Sequence, residues 1–292
     1  MKVKNPERRP SVIDRSCFPV DFAKMSGAGN DFVVIDNRDK IVLPADQREF
    51  CRRLCRRMFS VGADGVIFIE KSDAADFGWN FYNGDGSVAE MCGNGARCAA
   101  RFAHSHKIAG PCMKFETLAG IIAAEVLASG DGVRLEMVPP SDFRQGLTLT
   151  LDGVEYEAAS VNTGVPHAVI FVDREDVPVK KWGRSVRYHQ LFRPDGTNVN
   201  FARVLEDGRL QVRTYERGVE AETMACGTGA VAAALYAAVA KAMASPVEVL
   251  TSGGEMLTVF FDLSDGPVAR NVFLQGPARH IYDGQLTVEA LL

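Results

Sequence analysis

Apolar positions along the chain fall mostly into short runs broken by glycine, proline or aspartate–glycine pairs. The runs at 32–36 (FVVID) and 65–69 (GVIFI) are rich in branched and aromatic side chains and predict buried strands. Further strands are predicted at 120–127, 134–138, 168–172, 210–214, 247–250, 257–261 and 272–275. The turn residues between many of them predict antiparallel connections. Helical spacing predicts three helices, at 47–58, 95–106 and 229–244, the last halted before Pro246. On the first of these, Cys51 and Cys55 lie one turn apart and fit two core thiols. Many strands with few helices predict an α+β fold. Residues 1–20, polar and broken by prolines, predict a mobile extension, with order beginning near Phe22.

The pattern also repeats. Cys92-Gly93-Asn94-Gly95-Ala96 recurs as Cys226-Gly227-Thr228-Gly229-Ala230, and each copy opens a predicted helix. Upstream, Phe81-Tyr82-Asn83 and Tyr215-Glu216-Arg217 stand at the same offset before the two cysteines. The chain therefore predicts two copies of one unit, each presenting a cysteine at a helix start.

Composition narrows the class. At roughly 150 residues per domain, 292 residues suit two domains. A net charge of -4 lacks the basic excess of a dedicated nucleic-acid binder. The apolar stretch 230–244 is short and carries Lys241, so it predicts a buried helix and no membrane span. The first ten residues carry charge but no signal core, and the seven cysteines, an odd number without regular spacing, do not make a secreted disulfide framework. Both point to the cytoplasm. No CxxC pair occurs, and the five histidines show no metal-ligand spacing, so no metal is expected.

Glycines after a cysteine let a ligand approach the backbone closely, and the first amides of a helix attract an anion such as a carboxylate. The same field favours a thiolate, so both cysteines are expected to be more acidic than an ordinary thiol. Two such corners suit inversion of a stereocentre beside a carboxylate. One group removes the α-proton, and the other returns a proton to the opposite face. No cofactor is required, and no lysine near either corner could hold pyridoxal phosphate. A redox dithiol is the competing reading, but such catalysts keep their cysteines in one CxxC.

Seven strings carry a family resemblance: 27–32 (GAGNDF), 83–87 (NGDGS), 92–98 (CGNGARC), 117–120 (TLAG), 164–167 (GVPH), 215–218 (YERG) and 222–230 (ETMACGTGA). Together they resemble the diaminopimelate epimerases, in order from about Phe22 to the end of the chain. The resemblance implies two pseudo-symmetric α+β domains, each a mostly antiparallel sheet around a central helix, with the active site in the cleft. The expected domains are 21–138 plus 280–292, and 139–279. The implied activity is cofactor-independent interconversion of LL- and meso-diaminopimelate, in bacterial lysine and cell-wall precursor biosynthesis, by a homodimer.

By the same resemblance Cys92 is the proton acceptor for the LL substrate and Cys226 the donor. Gly93, Asn94, Gly227 and Thr228 hold the reacting carboxylate; Asn30, Asn83, Asn198, Glu216 and Arg217 bind the substrate; His167 supports the site. A substrate with a carboxylate and an ammonium at each end needs a distal cation such as Arg217. Asn83 also fits a plain Asn-Gly turn, Glu216-Arg217 a strand-end ion pair, and His167 a structural histidine. Three departures stand out: Val165 where many members have Asn, Gly65 where some have Gln, and one extra residue in the turn 218–223. The alternatives left open are a racemase of the same fold acting on another amino acid, and a non-catalytic protein that binds a zwitterion.

Overall fold

A computed structural model describes residues 15–130, 132–263 and 269–292. Most of the expected N-terminal extension, residues 1–14, lies outside the described residues. From Arg15 the chain makes a 3-10 turn, Arg15–Cys17, and Phe18 packs against the core.

The first half runs β1 (Val20–Gly27), β2 (Asn30–Asp36), α1 (Pro44–Leu54), β3 (Gly65–Glu70), β4 (Phe77–Asn83), α2 (Gly93–Ser105) and β5 (Cys112–Thr117). Next come β6 (Gly120–Val126), β7 (Gly132–Glu136), β8 (Ser141–Leu151), β9 (Val154–Asn162), β10 (Pro166–Phe171) and α3 (Val179–Arg187). The chain ends with β11 (Asn198–Val204), β12 (Leu210–Glu216), β13 (Ala221–Thr223), α4 (Gly227–Lys241), β14 (Val247–Thr251), β15 (Met256–Leu263), β16 (Ala269–Pro277) and β17 (Arg279–Leu286). The architecture is α+β, as the strand-rich pattern predicted.

Two compact units result. Unit 1 holds the described residues up to Ser26 together with Asp31–Ile121 and Arg279–Leu292; unit 2 holds Gly27–Asn30 and Ile122–Ala278. In unit 1, β2 runs parallel to β3, β3 antiparallel to β4, and β4 parallel to β5. Unit 2 repeats this plan: β10 is parallel to β11, β11 antiparallel to β12, and β12 parallel to β14. In each unit the pairing is therefore mixed, with an antiparallel pair between two parallel ones.

The central strands are buried on both faces, which explains why they read as continuous apolar runs. In unit 1, Val33, Ile35, Val66 and Phe68 pack with Phe50 and Leu54 of α1, while Phe32 and Ile67 lie under Gly95 of α2. In unit 2, Ala168, Ile170, Val199 and Phe201 pack with Trp182 of α3. The opposite face meets α4, whose residues 229–238 are all buried, most of them alanines. Small side chains let this helix lie close to the sheet.

Some boundaries differ from expectation. The first helix stops at Leu54, short of Met58, which takes a left-handed conformation with φ 68°. The last stops at Lys241, where Ala242 turns left-handed at φ 53°. Helix α3 was missed although its buried residues Val179, Trp182, Gly183 and Val186 follow the i, i+3, i+4, i+7 spacing of an amphipathic helix.

Candidate active site

Each repeated cysteine is the residue before a helix. Cys92 precedes α2 with φ -147° and ψ 115°, and Cys226 precedes α4 with φ -124° and ψ 107°. Both are extended and half-buried. The first intrahelical bond of each helix is accepted by the cysteine's own carbonyl: Ala96 N–H at 2.8 Å and Ala230 N–H at 2.9 Å. The amides of residues 93–95 and 227–229 thus form the helix ends that have no intrahelical acceptor and carry the positive end of the dipole.

The glycines at the two corners do different work. A Cβ on Gly93 would meet nothing within 4 Å, so the backbone there borders open space. On Gly227 it would press on Leu274 at 2.7 Å. On Gly95 it would touch Ile67, Phe32 and Trp79 at 3.3 to 3.6 Å. On Gly229 it would overlap Asn200 Oδ1 and sit 3.3 Å from Cys226 Sγ. Asn200 is therefore the floor of the Cys226 corner.

That floor is polar. Asn200 Nδ2 lies 3.0 Å from the Ala168 carbonyl and 3.1 Å from His167 Nδ1, and Thr214 Oγ1 donates to Asn200 Oδ1 at 2.9 Å. His167 is fully buried, and burial, with the nearby Arg217 charge, pushes its pKa down to about 3 despite the Asn200 contact. It is neutral at pH 7. At the corner itself, Cys226 Sγ is 3.5 Å from Thr228 Oγ1, and the Thr228 carbonyl accepts from Thr163 Oγ1 at 3.0 Å. A small void behind Cys226 is lined by Thr214, Thr223, Met224 and Thr251 among others.

The other predicted site residues divide between the units. In unit 1, Asn94 is buried and accepts from Arg97 Nη2 at 2.7 Å, and Asn83 donates to Ser87 Oγ at 3.0 Å within its turn. Cys98, one helical turn and a half beyond Cys92, is fully buried, and burial pushes its thiol up to about 12, which removes it as an acid/base group.

In unit 2, Asn198 is buried; its Nδ2 donates to the Pro166 carbonyl at 3.1 Å and its Oδ1 accepts the Arg217 amide at 2.8 Å. Asn198 thus shapes the loop that carries Arg217. The Arg217 side chain reaches the Asp195 carbonyl at 3.5 Å. Burial raises the Glu216 carboxyl above the usual range, while the neighbouring Thr223 hydroxyl pulls the other way. Asn30 belongs to the tip Gly27–Asn30, where Gly29 has φ 99° and a Cβ would meet Met224, two residues before Cys226.

The strand registers shift the repeat by one residue. Asn83 pairs with Gly65, and Ile67 with Phe81; in the second copy Asn200 pairs with Thr214. Ile67 and Asn200 lie under equivalent helix glycines, so Phe81 matches Thr214, whereas the sequence offset matched it to Tyr215. The second copy has one more residue between this strand position and its cysteine, from Thr214 to Cys226, than the first has from Phe81 to Cys92. Pattern reading missed Asn200, Thr214 and Thr163; the available signal was polar residues at alternate positions of an otherwise buried strand.

Among the described residues, no group of three or more His, Cys, Asp or Glu side chains could hold a metal ion, and no helix is long and apolar enough to cross a membrane. None of the described cysteines is in a disulfide.

Comparison with known proteins bears on the family and the fold. The family model for diaminopimelate epimerase matches residues 22–141 and 159–280. The diaminopimelate epimerase of Aquifex aeolicus is 47% identical over 282 residues, covering 93% of this chain and 99% of that protein. That of Archaeoglobus fulgidus is 40% identical over 283 residues, covering 93% and 98%. Among solved structures, a phenazine biosynthesis protein of the PhzF family from Bacillus anthracis has a TM-score of 0.69 at 13% identity, covering 92% of this chain and 99% of that one. A hydroxyproline epimerase from Agrobacterium vitis has a TM-score of 0.65 at 18% identity, covering 96% and 94%. The two solved structures share the fold; the sequence matches go further, and this chain belongs to the diaminopimelate epimerase family.

Proposed function

We propose that this protein interconverts LL- and meso-2,6-diaminopimelate without a cofactor, using Cys92 and Cys226 as paired acid/base groups. The observation that carries the reading is the repeated corner: two half-buried cysteines in matching backbone conformations, each directly before a helix. In the LL direction, the Cys92 thiolate takes the α-proton and becomes a thiol. The electron pair left on the α-carbon moves into the adjacent carboxylate. The Cys226 thiol then gives its proton to the other face and becomes a thiolate. Solvent proton exchange resets both groups. The reverse direction swaps the roles, which is why two like residues suit the task.

The costly species is the dianionic enolate. Helix-start amides at 93–95 and 227–229 supply fixed donors for its charge. Gly93, Asn94, Gly227 and Thr228 are assigned to the reacting carboxylate, and Asn30, Asn83, Asn198, Glu216 and Arg217 to the remainder of the substrate. His167, neutral at pH 7, is a poor base and acts in support. The reading extends to a cytoplasmic homodimer serving lysine and cell-wall precursor synthesis.

Incubation with LL-diaminopimelate in deuterated water tests the reading. Deuterium at one α-carbon, with formation of the meso isomer, is expected. No deuterium in diaminopimelate would overturn it, and exchange into proline or histidine alone would assign a racemase for another amino acid.

A further inference from the structure

The last residue of α3, Arg187, meets the last residue of the loop between β12 and β13, Glu220, beside Arg217. That loop, residues 217–220, is closed by the Glu220 amide donating to the Glu216 carbonyl at 2.8 Å. Two of its residues are left-handed, Gly218 at φ 93° and Glu220 at φ 57°. Glycine takes that conformation freely, whereas glutamate rarely does. A glutamate kept there points to a use for its side chain.

The Glu220 carboxylate turns back over its own loop. Its Oε1 accepts the Gly218 amide at 3.1 Å and Arg187 Nε at 3.3 Å, and its Oε2 accepts the hydroxyl of buried Tyr215 at 3.1 Å. Burial pushes this carboxyl up, but the Gly218 amide, the Tyr215 hydroxyl and the Arg187 charge outweigh it and hold the group below its usual range. Arg187 reaches further. Its Nη1 donates to the Asp195 carbonyl at 3.0 Å, and Gly196 leaves room for it, since a Cβ there would overlap the guanidinium. The same Asp195 carbonyl lies 3.5 Å from Arg217 Nη1.

Arg217 is thus held at three points. Its own amide goes to Asn198 Oδ1 at 2.8 Å, the next amide goes to Glu220, and its guanidinium reaches a carbonyl that Arg187 fixes. Tyr215 is tied down in turn by α3, because a Cβ on Gly183 would strike its ring.

We propose that Glu220, with Arg187, is a positioning residue that sets the Arg217 guanidinium to receive the carboxylate at the far end of the substrate. This rests on the reading of Arg217 as a substrate-binding residue. An arginine ordered before the substrate arrives takes the loss of its side-chain freedom out of the cost of binding. The far carboxylate is held equally in the ground state and the transition state, so loosening Arg217 raises KM more than it lowers kcat.

The test compares full-length wild type, Glu220→Gly, Glu220→Gln and Arg217→Gln on LL-diaminopimelate. Glycine suits the backbone of position 220, so Glu220→Gly keeps the turn and removes the carboxylate, and Tm should stay within ~2 °C. Its KM should rise about 10-fold with kcat within about 3-fold. Glutamine keeps an oxygen for the Gly218 amide and should bring KM back to within about 3-fold of wild type. Added to Arg217→Gln, Glu220→Gly should raise KM no further, because the group it positions is gone. Wild-type KM in Glu220→Gly, or its full effect persisting without Arg217, would overturn the proposal. Wild-type KM in Arg217→Gln would instead overturn the reading of Arg217, and the proposal with it. Exchange of the Gly218 amide, followed by NMR, needs no turnover and should be about 10-fold faster in Glu220→Gly and near wild type in Glu220→Gln. Equal exchange in wild type and Glu220→Gly would overturn the proposal whether or not the protein acts on diaminopimelate.

Discussion

Cys92 and Cys226 stand at the same point of two different helices: each gives its carbonyl to the amide four residues on, Ala96 at 2.8 Å and Ala230 at 2.9 Å. A residue in that place has its side chain outside the helix while its own backbone begins it. The thiol is therefore held beside the helix-start amides, in the field that favours its anion. Cys51, Cys55 and Cys98 are buried and lack that setting.

Removing either thiol should abolish epimerisation almost as fully as removing both, because acid and base act as a unit. Elimination asks for less. A substrate analogue with a leaving group next to the α-carbon needs only the α-proton removed. Cys226→Ala should still eliminate from the LL-like analogue, and Cys92→Ala from the isomer of opposite configuration. Both variants acting on the same isomer, in a coupled assay of each, would show that the thiols do not serve opposite faces.

Gly93→Ala and Gly229→Ala should fail in different ways. A methyl on Gly93 meets no protein atom, so thermal stability should hold while kcat/KM falls as the substrate carboxylate loses its close approach. A methyl on Gly229 strikes the buried Asn200 oxygen, so stability should fall by about 1–3 kcal/mol together with activity. Differential scanning calorimetry alongside kinetics separates them. Full activity in Gly93→Ala would remove that corner from carboxylate binding.

The buried His167 gives stability a pH dependence of known sign. Its folded pKa, about 3, lies below the ordinary histidine value of 6.5. Unfolding therefore takes up a proton between those values. The stability contribution is complete above pH 6.5 and is lost as pH falls toward 3. The slope attributable to this one group is about 1.4 kcal/mol per pH unit near pH 5. Urea unfolding of wild type and His167→Gln at pH 5 and pH 7 should show the variant losing less stability on acidification. Equal losses would mean that the imidazole is already charged in the folded protein.

Lys24 should matter more than its place on a strand suggests. Its ammonium is buried, bonded to Asp31 Oδ2 at 2.6 Å and to the Gly62 carbonyl. Burial pushes the Asp31 carboxyl up, but bonds from Lys24 and Arg57 outweigh it and hold the group below its usual range. Lys24→Met keeps the volume and removes the charge, leaving Asp31 with the exposed Arg57 as its remaining cation among the described residues. Chemical denaturation should show a loss of about 2 kcal/mol. A loss under ~0.5 kcal/mol would show that the pair is replaceable by water.

Where the sequence was legible, it was so for a physical reason. The strands 32–36, 65–69 and 168–172 are buried on both faces and stand out as unbroken apolar runs. Strand β8 was illegible because most of its residues are exposed, with burial concentrated at Leu149 and Leu151. The thiol corners were visible because the cysteine-glycine pattern occurs twice. Asn200 was not picked out, since alternating polar and apolar residues mark a two-faced strand but do not say that the polar face is turned inward under a helix. The one-residue slip between the copies likewise needed the strand registers, because an insertion in a turn leaves both flanking strings intact.

The C-terminal strand has a consequence for how the chain is made. Strand β17 pairs along β1 from Val20 opposite Leu286 to Ser26 opposite Arg279, and Gly284 lies where any side chain would strike the Phe22 ring. Unit 2, apart from Gly27–Asn30, is a single stretch, Ile122–Ala278. As the chain leaves the ribosome, that stretch is complete while β1, which can already pair with β2, still lacks its neighbour on the other side. The half encoded second can therefore close first, and the half encoded first waits with an open sheet edge until Leu286 has emerged. Nascent chains stalled between Ala278 and Leu286 are where a chaperone that holds unpaired strands would find its substrate.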